Sequence, residues 1–133
     1  MEVKLIIPGV PVAKARPQFN RKTGRVYTPN KTRSYESLIK EMAYDSFTKP
    51  IDGPVAISLF FYFPRTKGQM WKRKPMDRIS HCKYPDLDNV IKSTLDGLNT
   101  IAFRDDRQVF SIYAKKYVCS GTEGPRTEIT MVW

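Results

Sequence analysis

The segment from Val55 to Phe63 constrains the fold most, because it is apolar or aromatic at almost every position. Gly53-Pro54 precedes it and Pro64 follows it, so turn residues bound a run of strand length. A strand that is apolar on both faces lies inside a sheet rather than at its edge. We therefore predict that this strand is the core of the sheet.

Apolar periodicity and turn residues predict the other elements. They are a strand through Val3, Leu5 and Ile7 that stops at Pro8-Gly9, a loop or loose hairpin from Pro11 to Arg25 with a short return strand at Val26 and Tyr27, a helix from Ser34 to Phe47, a helix from about Asp86 to Asn99, and strands from Val109 to Val118 and from Thr127 to Trp133. The last two strands flank a turn from Gly121 to Pro125, which predicts an antiparallel hairpin.

These elements fit one α/β domain over residues 1–133. We expect two helices packed on one face of a mixed sheet of about four or five strands. No apolar run approaches the roughly 20 residues of a membrane span, and the N-terminus lacks the layout of a signal peptide. We therefore expect a soluble, cytoplasmic protein with no membrane contact. Cys82, Cys119 and His81 are too few for a disulfide framework or a four-ligand zinc site, so both cysteines should be reduced thiols.

Positive charge dominates the surface, since 23 Lys and Arg face 13 Asp and Glu and leave a net charge of +10. Such a balance favours polyanionic partners. Two loops concentrate basic residues that are candidates for phosphate contacts, namely Lys14, Arg16, Lys72, Arg73 and Lys74. Each of them alone is as easily a solvated loop charge, but together they predict DNA contacts. The second loop, from Arg65 to Lys83, is long enough to be functional or mobile.

The second helix carries the residues with the clearest chemistry. At about 100° per residue its apolar arc faces the sheet, and the opposite arc carries Asp88, Asn89, Lys92, Asp96 and Asn99, with Asp86 at the start. Two carboxylates two residues apart, followed by Asp105-Asp106 downstream, supply the hard oxygen ligands that magnesium or manganese prefers. The alternatives are that Asp86 and Asp88 cap the helix, that Asp88 pairs with Lys92, and that Asp105-Asp106 are turn residues.

An ordered set of motifs resembles the RusA-type Holliday junction resolvases. The motifs are Tyr84 to Lys92, Leu95-Asp96-Gly97-Leu98, Asp105 to Val109, and near the N-terminus Pro8 to Pro11 and Lys14 to Pro17. The resemblance implies a site of Asp86, Asp88, Lys92 and Asp106, with Asp105 as the alternative to Asp106. It further implies magnesium or manganese as the only small cofactor, a homodimer, and paired cuts in a four-way junction that leave 5′ phosphates and 3′ hydroxyls.

Two aromatic residues, Tyr84 and Trp71, are candidates for stacking on a base that is unpaired at such a junction. Packing in the core is the alternative that aromatic side chains more often take. Two other functions remain open. One is a non-catalytic, basic nucleic-acid-binding domain, and the other is a metal enzyme that acts on a nucleotide-sugar diphosphate. The short chain, its basicity and the lack of a glycine-rich nucleotide loop count against the latter.

Overall fold

The fold consists of seven strands and two α-helices, and the computed structural model describes all of residues 1–133. In chain order the elements are β1 (Glu2–Pro8), β2 (Gln18–Asn20), β3 (Arg25–Tyr27), α1 (Asn30–Ser46), β4 (Val55–Phe63), β5 (Ile79–Ser80), α2 (Leu87–Leu98), β6 (Val109–Val118) and β7 (Arg126–Val132). The predicted single α/β domain with two helices and a mixed sheet is confirmed.

Strand β4 is the centre of the main sheet, as predicted from its sequence. The strand order is β1-β7-β4-β6-β5, while β2 and β3 form a separate two-stranded hairpin. Alternate residues of β4, from Val55 through Leu59 to Phe63, are buried in the core between the sheet and the helices. The sheet is mixed because β4 runs parallel to β6 and antiparallel to β7.

The prediction of a hairpin between the last two strands is wrong. Strands β6 and β7 lie on either side of β4 and do not pair with each other. Insertion between them gives β4 backbone hydrogen-bond partners along both edges, which an apolar, buried strand requires. The turn residues from Gly121 to Pro125 indicate a chain reversal, but they carry no information about which strand lies between the two arms.

Helix α1 begins at Asn30 rather than at Ser34. Pro29 is the N-cap residue in an extended conformation, and its carbonyl accepts a hydrogen bond from the backbone nitrogen of Arg33 at 3.1 Å. The two helices pack closely at Gly97, where a side-chain Cβ would lie 2.9 Å from the Cβ of Ile39. Polar contacts add to this packing. The buried Tyr35 hydroxyl lies 3.1 Å from Thr94 Oγ1 and 2.7 Å from Thr127 Oγ1, which joins both helices to β7.

The loop from Arg65 to Lys83 is more ordered than its sequence predicts. The guanidinium of Arg65 donates hydrogen bonds to the carbonyls of Gln69, Asp77 and Cys119 at 2.7 to 3.0 Å. Strand β5, inside the loop, pairs with the end of β6.

Neither α-helix has the length and apolar character needed to cross a membrane. Cys82 is exposed, Cys119 is buried, and both are free thiols.

Candidate active site

Asp86 and Asp88 lie at the exposed start of α2, and neither takes the structural role that a helix start offers. Asp86 is the N-cap residue, yet its side chain makes no capping hydrogen bond. Asp88 lies in the first turn, but Lys92 pairs with Asp96 and Asp106 rather than with Asp88. The helix-cap and ion-pair alternatives are therefore not realised, and both carboxylates are left open to solvent.

A chain of ion pairs lies along α2 beyond Asp88. The two carboxylate oxygens of Asp96 contact Lys92 Nζ at 3.1 Å and Lys14 Nζ at 3.0 Å. Lys14 also contacts Glu36 Oε1 at 2.8 Å, and Lys92 lies 3.6 Å from Asp106 Oδ2. Asp96 therefore holds one lysine on each oxygen and connects the N-terminal loop to the acidic site.

These pairs keep both lysines protonated. The pKa of Lys92 is raised above its ordinary value, chiefly by its hydrogen bond to Asp96 and further by the charges of Asp96 and Asp106. Burial alone would lower the pKa of Lys14, but its hydrogen bonds to Glu36 and Asp96 outweigh that cost and raise it. Lys92 is therefore a fixed positive charge at neutral pH and is unsuited to act as a general base.

Asp105 and Asp106, downstream of α2, make different contacts. Asp105 caps the 3₁₀ turn Asp106–Gln108 and accepts hydrogen bonds from the backbone nitrogen and the Nε of Arg107, at 2.8 and 3.1 Å. The backbone hydrogen bond from Arg107 is the largest cause of the lowered pKa of Asp105. Asp106 instead faces Lys92. Of the two, only Asp106 lies on the side of the other site residues, although the choice of metal ligand stays a prediction.

The donor chemistry suits a hard divalent cation, since Asp86, Asp88 and Asp106 all offer carboxylate oxygens. The structure does not, however, gather them into one ligand set, because no three His, Cys, Asp or Glu side chains lie close enough together to hold a metal ion. Asp86 and Asp88 therefore have the right kind of ligand atoms for a divalent cation, but they do not form a complete ligand set with Asp106. Asp106 is connected to them through Lys92, which lies one helical turn after Asp88.

Lys116 is a site-supporting residue that the sequence analysis missed. Its ammonium donates hydrogen bonds to the backbone carbonyls of Lys83 at 2.7 Å and Pro85 at 2.6 Å. It thereby holds the turn that leads into Asp86. In the alternation of β6, Lys116 shares a face with Ile112, Ala114 and Val118, so a lysine on an apolar face was the signal in the sequence. Its pairing with the buried Phe61 of β4, and its backbone partners, follow only from the three-dimensional structure.

Residues 8–132 match the family Endodeoxyribonuclease RusA. This chain belongs to the RusA endodeoxyribonuclease family. Membership indicates endodeoxyribonuclease activity and confirms the resemblance seen in the sequence motifs. The chain is also similar to the uncharacterized protein YqaN of Bacillus subtilis (strain 168), with 27% identity over 135 aligned residues that cover 96% of this chain and 93% of YqaN.

The basic residues of this RusA protein differ in their exposure and in their ion pairs. Arg16, Lys72 and Arg73 are exposed, whereas Lys14 lies between two carboxylates and bridges the helices. The loop around Lys14 is fixed in place, because its backbone nitrogen donates to the carbonyl of Asn89 at 2.8 Å. Which of these residues contact DNA stays a prediction.

The two candidate stacking residues also differ. Tyr84 is 82% exposed, so the alternative of core packing is wrong for this residue. Trp71 is half-buried, and the cationic groups of Arg65 and Lys74 lie 4.5 and 4.6 Å from its ring centroid. Its Nε1 donates a hydrogen bond to the carbonyl of Pro75. Trp71 therefore stabilises its own loop, and Tyr84 is the aromatic side chain that is open to a ligand.

Proposed function

We propose that this chain is a metal-dependent, structure-selective endodeoxyribonuclease that resolves four-way DNA junctions by paired phosphodiester hydrolysis. The observation that carries the proposal is the pair Asp86 and Asp88, exposed and without protein partners at the start of α2 in a RusA family member. Two adjacent carboxylates repel each other, and a divalent cation relieves that repulsion. Such an enzyme would act in the cytoplasm, in DNA recombination and repair.

Each residue of the site has a role that follows from its surroundings. Asp86, Asp88 and Asp106 would hold one or two magnesium ions, with manganese able to substitute. A bound ion supplies Lewis-acid stabilisation of the phosphate and lowers the pKa of water. Lys92, protonated and held by Asp96, stabilises the negative charge that grows on the scissile phosphate. Cleavage at the 3′ oxygen leaves a 5′ phosphate and a 3′ hydroxyl.

The surface around the site suits a branched polyanion. The net charge of +10 favours DNA, and Arg16, Lys72, Arg73 and Lys74 are exposed for contact with phosphates. Lys14 would act mainly by positioning, because its ammonium already has two carboxylate partners. Tyr84, exposed two residues before Asp86, would stack on a base that is unpaired at the branch point.

Paired cuts in two opposed strands require two active sites, which a C2 homodimer supplies. Strand β6 supports such an assembly, because β5 pairs only with its end at Tyr117 and Val118. Along the rest of this open edge, Phe110 is 72% and Tyr113 53% exposed. An unpaired strand edge with apolar side chains favours association with another chain.

The proposal is tested by cleavage of a synthetic four-way junction in magnesium, manganese and EDTA, with a linear duplex of the same sequence as control. We expect paired cuts in the junction alone, only with metal, and a sedimentation mass of two chains. Binding without cutting in any metal would instead support the non-catalytic DNA-binding alternative. In that case Asp86 and Asp88 would be surface charges without a catalytic role.

A further inference from the structure

Tyr84 stands at the boundary of two cavities next to the acidic site. One cavity has a volume of about 560 Å³ and extends toward β5, and the other has a volume of about 570 Å³ and extends toward the N-terminal loop. Val10, Phe63 and Tyr84 line both. An exposed aromatic ring beside cavities of this size can stack on a planar ligand that enters either of them.

The two cavities differ in the chemistry of their walls. The cavity on the side of the N-terminal loop is formed largely by prolines, valines and alanines, and the hydroxyl of Thr32 there is already bonded to Ala13 and Ala15. The cavity on the side of β5 contains Ser80, His81 and Gln69, whose amide oxygen accepts a hydrogen bond from the backbone nitrogen of Thr66 at 2.9 Å and whose Nε2 remains as a donor. Only the latter combines an apolar floor with several groups that can read donors and acceptors on a ligand.

His81 is well placed for such recognition. Its ring packs edge-on against the buried Phe63, with centroids 4.8 Å apart and planes at 68°, so its orientation is fixed. Burial, followed by the charges of Lys116 and Lys83, lowers the pKa of His81, which keeps the imidazole neutral at neutral pH. In the neutral ring Nδ1 accepts a hydrogen bond from the backbone nitrogen of Lys83 at 3.4 Å, so the proton is on Nε2, which can donate to an acceptor on the edge of a nucleobase.

The cavity is also tied to the place where the chemistry would occur. Lys116 holds the carbonyls of Lys83 and Pro85, which flank Tyr84, and Asp86 follows immediately. Tyr84 and Asp86 are therefore presented by one braced turn. A nucleotide whose phosphate lies at Asp86 would have its base within reach of Tyr84 and the cavity.

We infer that the cavity lined by Ser80, His81 and Gln69 receives one nucleobase that is unstacked at the branch point, with Tyr84 covering its face. Recognition of that base sets the sequence preference of cleavage. The inference rests on the proposed function, because it takes branched DNA as the ligand. It adds the position at which the protein reads sequence, through hydrogen bonds to a base that has left its stack.

The first test measures binding in EDTA, where cutting does not intervene. Four-way junctions are prepared that each lack one base near the branch point, and their affinities for the wild-type protein are compared with that of the intact junction. We expect one abasic position to weaken binding by about tenfold or more, since stacking contributes about 1 to 3 kcal/mol per base. This penalty should vanish in Tyr84→Ala and shrink in His81→Ala.

Tyr44→Ala is the matched control, because Tyr44 is 71% exposed on α1 and lines neither cavity. It should keep the full abasic penalty. If every abasic junction binds the wild type within twofold of the intact one, or if Tyr84→Ala shows the same penalty as the wild type, the inference is overturned.

The second test measures cleavage with each of the four bases at the sensitive position. We expect the spread of cleavage rates among the four bases to narrow in a Ser80→Ala, His81→Ala double variant. Ser46→Ala, at an exposed serine on α1 that lines neither cavity, should leave the spread unchanged. An unchanged spread in the double variant would contradict base reading by this cavity. The proposed function fails separately, if the wild type cuts no junction in any metal while base-dependent binding persists.

Discussion

Asp96 and Asp106 have lysine partners at 3.0 to 3.6 Å, whereas Asp86 and Asp88, at the start of the same helix as Asp96, have no capping hydrogen bond and no salt bridge with Lys92. The paired carboxylates fix Lys92 and Lys14 and so build the frame of the site. The unpaired ones hold no other side chain in place. This difference separates carboxylates that hold lysines in place from carboxylates that, in the proposed function, would bind a cation.

The largest effect should come from the unpaired group. Asp86→Asn removes the charge and keeps the shape, so junction cutting should fall about a thousandfold or more, since a metal ion supplies several kcal/mol of stabilisation. Junction binding in EDTA should persist or tighten because repulsion from the phosphates is lost. Asp45→Asn, at an exposed position on α1, is the control and should cut normally. Retained cutting by Asp86→Asn would remove this residue from the site.

Asp105 and Asp106 provide an internal comparison of neighbouring carboxylates. Asp106→Asn should slow cutting about a hundredfold or more, because loss of one preorganised electrostatic group from an enzyme active site has an effect of that size. Asp105→Asn should mainly lower thermal stability, because Asp105 caps a turn and binds Arg107. Cleavage rates and melting temperatures of both variants check this division. A greater loss of cutting in Asp105→Asn would reverse the assignment.

Substitution of Asp96 tests whether the paired carboxylates affect cutting by holding Lys92 and Lys14 in place. Asp96→Asn should lower kcat about tenfold to a hundredfold with little change in KM, the range for groups that orient a catalytic residue. Asp96→Glu keeps the charge and should restore part of the loss. A change in KM alone would indicate that Asp96 affects only DNA binding.

Substitution of Lys116 tests whether its hydrogen bonds to the backbone before Asp86 matter for cutting. Lys116→Met should reduce cutting about tenfold by letting the turn before Asp86 shift. Lys4→Met is the matched control, because Lys4 is exposed on β1, at the opposite edge of the sheet. Equal effects of the two substitutions would show that only general positive charge matters.

The smallest effect concerns stability at a fully paired carboxylate far from the acidic site. The hydrogen bond from Arg78, followed by those from Ser120 and Arg126, holds the pKa of Glu123 well below its ordinary value of 4.5. Its contribution is therefore present above about pH 4.5 and is lost as the pH falls toward the lowered pKa. Glu123→Gln should cost about 1 to 2 kcal/mol at pH 7 and less below pH 4, as measured by urea unfolding.

Local patterns were sufficient for much of the fold. The two-sided apolar character of Val55–Phe63 identified the central strand, and the apolar arc of the second helix identified its buried face. The pairing of β6 and of β7 with β4, rather than with each other, could not be predicted, because insertion of β4 between them depends on contacts distant in sequence. The early start of α1 was missed because Pro29 and Asn30 carry no apolar periodicity.

The sequence identified Asp86, Asp88, Lys92 and Asp106 as candidates but could not show their partners. Whether Asp88 pairs with Lys92 depends on competition from Asp96 and Asp106, which only the three-dimensional arrangement reveals. Similarly, the exposure of Tyr84 follows from the turn that Lys116 holds across the sheet edge. These contacts join distant segments, so spacing along the chain could not predict them.

Manganese binding to the purified protein, followed by electron paramagnetic resonance, tests the central claim most directly. We predict that the wild type and Asp105→Asn bind manganese alike, whereas a double variant with Asp86→Asn and Asp88→Asn loses that binding. Circular dichroism would verify that the double variant is folded. Equal manganese binding by the wild type and the folded double variant would contradict the account, because the unpaired carboxylates would then not be the cation site.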